Sequence, residues 1–582
     1  MPARRRALLP RVALMLGLSS ALHACGEPPR DAALFVSRGE QAGLTRALRC
    51  GAELHTKQTI LEVNGNGVAL LDVDADGDLD LALIDGSTRA QLARGEQITH
   101  QLLRNDGWRD GSPRFSPWSD HGLSMSGWPT GVACADVDGD GRPDLVVGGL
   151  GQDTLFLNRT LPGGAARFES TPLPGRSSPQ DWTTGVALAD ADGDGQLDLY
   201  LARYLEIDPA HPPLGHVQQL PCRFAGHEVM CGPHGLPPQD DVFLRGLDGP
   251  PWFEDASEAW GVIAEAPAYG LGVVFVDLDA DGRPDVYVAN DSVDNFVLAN
   301  RGTGFQHMGR LSGASSDMAG RAQAGMGVAV GDVDGDRDLD LLVTNFSDEA
   351  NALYRNQGGL LFRETSTAAG TGHVSRPLLG WGVHLADLNS DGELDLFVAN
   401  GHVYPEADLP GTGSRYAQPL LFQPGRGDGR FDAPIEVLPD EFVARGSACG
   451  DLDGDGDLDL LVLRLNRPPL LLINQTDDPG RQLLVTLEDT PPRARDALGA
   501  VLSVRVAGRW RSATRLSSSG FQSAGDPRLH IGGGGTIEAA VVRWPDGVEQ
   551  PLDPSGLAFG RHHLVRRGVG VVSSTALLAP GT

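Results

Sequence analysis

The sequence predicts an all-β fold: a seven-bladed β-propeller followed by a small C-terminal β-domain. An acidic ten-residue pattern recurs seven times, and a period of this size means a propeller or another array. Short runs of β type flank each copy. Glycine (77 residues) and proline (40) are frequent in the 582-residue chain, which favours short strands and many turns over long helices. At 61.4 kDa the chain is too long for one compact core. Its formal net charge of −30 excludes nucleic acid as a partner. Apart from Lys57, its basic residues are arginine.

Residues 1–24 read as a lipoprotein signal peptide. Arg4, Arg5, Arg6 and Arg11 precede "VALMLGLSSAL", an apolar run too short to anchor stably across a bilayer. The run ends in "LHAC", which puts Cys25 where it resembles the lipid-modified cysteine of a bacterial lipobox. An ordinary secretory signal with a cysteine nearby is the alternative. The expected location is the cell envelope, as an outer-membrane lipoprotein or surface-exposed protein, and otherwise the medium. Membrane contact is expected through the lipid anchor alone.

The acidic copies begin at Asp72, Asp136, Asp190, Asp277, Asp332, Asp387 and Asp451. Their odd positions carry oxygen. Copy 1 offers Asp72, Asp74, Asp76, Asp78 and Asp80; copy 2 offers Asp136, Asp138, Asp140, Arg142 and Asp144. Copy 3 has Asp190, Asp192, Asp194, Gln196 and Asp198; copy 4 has Asp277, Asp279, Asp281, Arg283 and Asp285. Copy 5 has Asp332, Asp334, Asp336, Asp338 and Asp340; copy 6 has Asp387, Asn389, Asp391, Glu393 and Asp395. Copy 7 has Asp451, Asp453, Asp455, Asp457 and Asp459. Side-chain oxygens at positions 1, 3, 5 and 9 with a backbone carbonyl at 7 suit a hard cation, calcium above all. Up to seven structural Ca²⁺ are expected.

An EF-hand loop shares this start but needs Glu at position 12 and a helix on each side. Here position 12 is Leu83, Val147 or Leu201, and the flanks "GVALLD" and "LDLALI" alternate as strands. Each loop therefore joins two strands of a hairpin. Glycine at position 6 permits the sharp turn. Copy 5 has Arg337 there instead, which predicts a strained, weak or empty site. Asn389 keeps a ligating oxygen.

A third strand follows each loop ("LLRNDG", "LFLNRT", "VFLRGL", "FVLANRG", "ALYRNQGG", "LLFQPGRG", "LLLINQT"), and in most units a fourth. Four antiparallel strands make a propeller blade. The seventh unit lacks its fourth strand, and "ALFVSRGEQAGL" near the start supplies that pattern. Residues 31–476 are therefore assigned to the propeller, with 33–44 closing blade 7 and leaving no open edge. Residues 481–567 read as a small β-domain, and 568–582 as a tail without clear signal.

Cys222 and Cys231 bracket a polar loop at a spacing that suits a disulfide in an exported protein. Cys134 and Cys449 occupy equivalent small-residue strands and read as buried thiols. Cys50 has no evident partner.

Several stretches carry a family resemblance: "CGPHGLP", "VANDSVDNF", "GMGVAVGDVDGD", "VTNFSDEANALYRN", "GWGVHLADLN", "VANGHVYPE", "RDALGAVLSVRV", "SSSGFQSAGDPRLHIG" and "VVRWPDG". The repeats resemble the FG-GAP/VCBS repeats of integrin α-type propellers. More closely, the chain resembles bacterial proteins related to cartilage acidic protein, with an ASPIC/UnbV domain after the propeller. The resemblance implies that the calcium loops cluster at one face of the ring. Tyr269, Met326, Trp381 and Arg445, before the loops, then fall at the opposite face. So do Arg203, Tyr204, Asn290, Asp291, Asn345, Asn400 and His402, after them. The two long excursions, Tyr204 to Asp240 and Gly401 to Ala417, leave from there too. Tyr269, Trp381, His402 and Arg445 are the candidate partner face; capping of the channel by these residues is the equal alternative.

No serine elbow, P-loop, dinucleotide fingerprint or zinc-helix motif occurs. The expected role is therefore a non-enzymatic binding, adhesion or scaffold protein with an unknown protein or glycan ligand. The alternative is an enzyme, or an accessory protein of a biosynthetic pathway, working from the face opposite the loops.

Overall fold

The computed structural model describes residues 34–578 except 52–54, 56, 110, 176–177, 215, 218–219, 264–265, 477 and 492–493. The signal segment and Cys25 lie outside the described residues.

Seven sheets carry the seven acidic loops. Their first strands are Val68–Leu71, Trp128–Ala135, Thr183–Ala189, Gly270–Val276, Val328–Gly331, Gly380–Ala386 and Ala444–Gly450. Each first strand touches the next, and the seventh touches the first, so the sheets form a closed ring of blades. Blade 1 shows the common order: Val68–Leu71, Asp80–Leu83, Gln101–Arg109 and Ser112–Pro117. Blade 6 has three strands; isolated bridges from Phe431 and Ile435 stand in for its fourth. The fourth strand of blade 7 is Phe35–Ser37, which pairs antiparallel with Leu472, Ile473 and Asn474.

Both faces of every blade are covered, which explains the near-continuous apolar runs. In Asp198–Arg203, Leu199 and Leu201 pack towards blade 2, while Tyr200 and Ala202 pack towards blade 4. Burial of each such leucine stabilises by about 1.5–3 kcal/mol. The blade 7–blade 1 core, with Leu70, Leu81, Leu461, Leu471 and Ile473, is built like the other six. The ring is thus sealed by packing as well as by the Phe35–Ser37 strand.

The C-terminal domain has two four-stranded sheets around a shared core of Leu483, Val485, Leu502, Val504, Val542 and Trp544. Leu483–Glu488 lies beside Leu529–Ile531 and, parallel, Arg561–Arg566. Val501–Val506 lies between Arg509–Thr514 and Ile537–Arg543. The segment taken from sequence as a tail is partly structured: Gly570–Ala576 pairs with Arg561–Arg566. Its β-branched residues supply the strand propensity. Leu578 then donates its N–H to Gly454 O in the seventh acidic loop.

Candidate cation loops and capped cavity

Each acidic loop is wound by its own carboxylates. The position-1 aspartate accepts N–H groups from further round the turn: Asp72 from Asp76 (3.1 Å) and Gly77 (3.0 Å), and Asp277 from Asp281 (3.1 Å) and Gly282 (3.0 Å). Position 9 is buried and ties three strands. Asp285 accepts from Leu278 N (3.0 Å) and from Asn300 N on the third strand (2.9 Å). Equivalent pairs of bonds hold Asp80, Asp144, Asp198, Asp340, Asp395 and Asp459.

These carboxylates crowd together. In the trios Asp72–Asp74–Asp80, Asp136–Asp138–Asp144, Asp190–Asp192–Asp194, Asp277–Asp279–Asp285 and Asp332–Asp334–Asp336, one oxygen of each residue lies within 4.8 Å of the others. Burial pushes Asp80, Asp144, Asp340 and Asp395 up to about 8, and Asp136 and Asp387 up to about 7. Oδ1 of Asp74, Asp136, Asp279, Asp334 and Asp457 is buried with no donor among the described residues. Crowded carboxylates within one loop, with a buried oxygen left without a donor in five of the loops, are what a hard cation requires, so the residues present fit one.

Two features of the loops go beyond the sequence expectation. Position 4 is also left-handed: glycine meets this in four loops (Gly139, Gly193, Gly335 and Gly454), and Ala75, Ala280 and Ser390 adopt it at φ 59°, 60° and 59° at a cost in strain. A third-strand asparagine also staples neighbouring blades. Asn105 reaches Leu452 O (3.0 Å), Asn158 reaches Val73 O (3.0 Å), Asn300 reaches Ala191 O (2.9 Å), Asn356 reaches Leu278 O (2.8 Å) and Asn474 reaches Leu388 O (2.8 Å). Its signal was the Asn repeated in the third-strand stretches. Blades 3 and 6 have Gly246 and Gly425 there and lack the staple.

Arg337 does adopt a left-handed turn, φ 76°, but its side chain leaves the loop. It pairs with Glu549 (2.6 Å) and covers the Trp510 ring (5.0 Å), both in the C-terminal domain. The guanidinium inside loop 5 is Arg355, paired with Asp334. Arg337→Gly should relieve about 1–2 kcal/mol of backbone strain and forfeit an exposed ion pair worth about 0–1 kcal/mol. Calorimetry is expected to show tighter calcium binding for the variant; unchanged affinity and stoichiometry would remove the strain argument.

The C-terminal domain sits on this loop face. Asp496 accepts from Asp136 N (3.2 Å), Ser512 donates to Asp332 (3.3 Å), Arg528 donates to Asp451 O (2.9 Å) and His530 meets Gly456 O (2.7 Å). From it the segment "SSSGFQSAG" enters the bore of the ring. Ser517 O, Gly520 O, Gln522 O and Ala524 O accept from Cys134, Val328, Val132 and Leu70, which belong to three first strands. At the tip, fully buried Phe521 packs edge-on against Trp381, with ring centroids 4.9 Å apart. The ring closes tightly on the plug: a Cβ on Gly67, just before the first strand of blade 1, would lie 2.1 Å from Gln522 O.

The opposite end of the bore holds the residues expected from sequence either to face a partner or to cap the channel. Trp381, His402, Arg445 and Tyr269 are all buried. Arg445 lies 4.3 Å over the Trp381 ring and donates to Val63 O, Gly401 O, Ala444 O and His402 O. Trp381 Nε1 also donates to Gly401 O (2.8 Å), and Tyr269 OH to Leu236 O (2.8 Å). Burial, helped by Arg445, lowers His402 to about 3, so it stays neutral. Its Nδ1 accepts from Tyr404 N (3.1 Å), and its Nε2 meets Ser347 Oγ (3.2 Å). These residues fasten the excursion loops over the bore. Among the other residues expected at this end, Tyr204 and Asp291 hydrogen-bond each other at 2.6 Å.

Above this floor lies a cavity of about 400 Å³. Cys222 and Cys231 are bonded, with Cα atoms 5.2 Å apart, and the hairpin between them brings Phe224 over the cavity. Phe346 and Tyr404 stand 6.1 and 5.5 Å from Phe224. Sequence reasoning named none of these three rings, nor Glu349; all lie in non-repeating segments. Burial raises the Cys134 thiol to about 12 and also raises Cys50 and Cys449.

Comparison with known proteins finds two family matches. The FG-GAP-like repeat matches residues 72–147, 136–201, 277–343 and 332–398. The family described as ASPIC and UnbV matches 490–569. Cartilage acidic protein 1 of Mus musculus is 28% identical over 287 residues, covering 46% of this chain and 40% of that protein. The Homo sapiens protein is 24% identical over 514 residues, covering 83% and 69%. The Xenopus tropicalis protein is 24% identical over 384 residues, covering 57% and 57%. The chain thus spans between 40% and 69% of the length of these relatives.

Proposed function

Because the chain belongs to the proteins that join FG-GAP-like repeats to a C-terminal ASPIC and UnbV domain, we propose that it is an exported, calcium-stabilised binding scaffold without catalytic turnover. Its working end is the capped end of the ring. The observation that carries this reading is the placement of the C-terminal domain. It packs on the loop face and fills the bore, while the other end keeps an apolar, ring-lined cavity under the disulfide hairpin.

Calcium in the acidic loops supplies the positive charge that lets their aspartates ionise together. The residues that would hold it are the acidic positions 1, 3, 5 and 9, with loop 5 the weakest. Extracellular sites of this kind bind at about 10⁻⁴–10⁻³ M.

Export and anchoring rest on the "LHAC" segment ending at Cys25. Cells expressing the wild type should incorporate labelled fatty acid into the protein and hold it in the membrane fraction. Cys25→Ser should abolish the label and release the protein. Equal labelling of both forms would remove the lipid anchor from the proposal, and a melting curve indifferent to chelator would remove the calcium scaffold.

A further inference from the structure

The capped cavity has a defined chemistry. Its floor is apolar, with Val63, Leu271, Met326 and Trp381. Its wall carries the rings of Phe224, Phe346 and Tyr404, and aromatic faces are the negative ends of ring quadrupoles. Two carboxylates line it, Asp291 and Glu349. Both are held by neutral donors. Asp291 accepts from Tyr204 OH (2.6 Å) and Ser292 Oγ (2.8 Å), and Glu349 accepts from Ala324 N (2.8 Å). Neither is ion-paired with Lys or Arg among the described residues.

Burial pushes Glu349 up to about 7 and also raises Asp291, a cost that a positive ligand removes. Two basic groups also line the cavity: exposed His234, whose charge bears on Asp291, and exposed Arg223, which is paired with Glu228 at 3.3 Å. Asn64 is 3% exposed and also lines the cavity, and its Nδ2 has no partner among the described residues. Buried amides are normally satisfied, so this one points to an occupant that accepts a hydrogen bond.

We propose that this cavity binds a small organic cation. Its ammonium group is directed to Asp291 and Glu349, its apolar body lies against Phe224 and Tyr404, and a polar acceptor on it meets Asn64. The volume sits within the range of small-molecule sites, about 300–1,000 Å³, and is too small for a folded partner. The inference deepens the binding-scaffold reading and rests on its choice of working end.

The test uses the calcium-loaded full chain and isothermal titration calorimetry with three matched probes: 2-phenylethylamine, 2-phenylethanol and 3-phenylpropionate. The amine is expected to bind at least about tenfold more tightly than the alcohol, in line with about 1.4 kcal/mol or more for a desolvated cation–π and carboxylate contact. The carboxylate should not bind. Glu349→Gln should weaken the amine about tenfold and leave the alcohol unchanged. Phe224→Ala should weaken both. Equal binding of amine and alcohol, or no binding of the amine, overturns the proposal. So does amine affinity unchanged in both variants. Melting of the same samples with and without calcium reads the scaffold separately, so either idea can fail alone.

Discussion

Stripping divalent cations is expected to lower the Tm substantially and to make it fall further as pH rises from 6.5 to 8.5. Without metal, buried Asp80, Asp144, Asp340 and Asp395 sit at about 8, against about 3.9 in an unfolded chain. Between those values the folded state binds more protons than the unfolded state, so stability is lost as pH rises through the folded value. Each such group contributes up to about 1.4 kcal/mol per pH unit. The buried histidines oppose this slope only weakly: His100 and His402 are lowered to about 3 by burial, so they favour the folded state as pH rises only near pH 6.5, where the unfolded imidazoles are still about half-protonated. Calcium replaces the protons, flattens the slope and raises the Tm. Magnesium should restore less, because it demands a smaller octahedral site. Melting curves at pH 6.5 and 8.5, in chelator and in calcium, decide the matter. A Tm in chelator that rises with pH, or equals that in calcium, would sink the assignment.

Phe521→Ala is expected to destabilise by about 3–5 kcal/mol, the cost of emptying a fully buried aromatic site. Phe521 has no exposed surface and packs on Trp381, itself held by Arg445 and Gly401 O. The edge-on ring contact adds about 0.5–1.5 kcal/mol to the burial. The damage has a location. Leu70, Val132, Cys134 and Val328 donate their N–H groups to the plug, and hydrogen exchange at these four amides should accelerate together. Phe521→Leu keeps most of the volume and should cost less than about 1.5 kcal/mol. If exchange at these amides were unchanged in Phe521→Ala, the plug would not be what closes the bore.

What could be read from sequence was what repeats. The acidic loops, the strands around them and the use of an N-terminal strand in blade 7 all follow from a pattern written seven times. What does not repeat stayed hidden. Strand order placed Trp381, His402 and Arg445 at the right end of the ring, but not what covers them. Their burial depends on carbonyls of Val63, Gly401 and Ala444, which no local pattern links. "SSSGFQSAG" matched a family pattern without revealing a role, since small polar residues carry no periodicity. Arg337 was read as a defect in its loop because its partners, Glu549 and Trp510, are remote in sequence.

The closing strand also sets an order of events in synthesis. Phe35–Ser37 emerges from the ribosome first, and its partner Leu472–Asn474 near the end. Val68 N–H meets Ser523 Oγ across 455 residues, and Cys50 N–H meets Asn466 Oδ1 across 416. At about 5–20 residues per second, the first blade waits roughly 20–90 s for its last neighbours. For that interval the first strands stand with unpaired edges and an open apolar wall, the condition in which nascent β chains associate wrongly. A chain released between residues 474 and 517 can close its ring, but only around an unfilled bore. Premature termination at the C-terminal domain therefore does more than remove a module: it leaves a hollow ring whose inner amides have no partner.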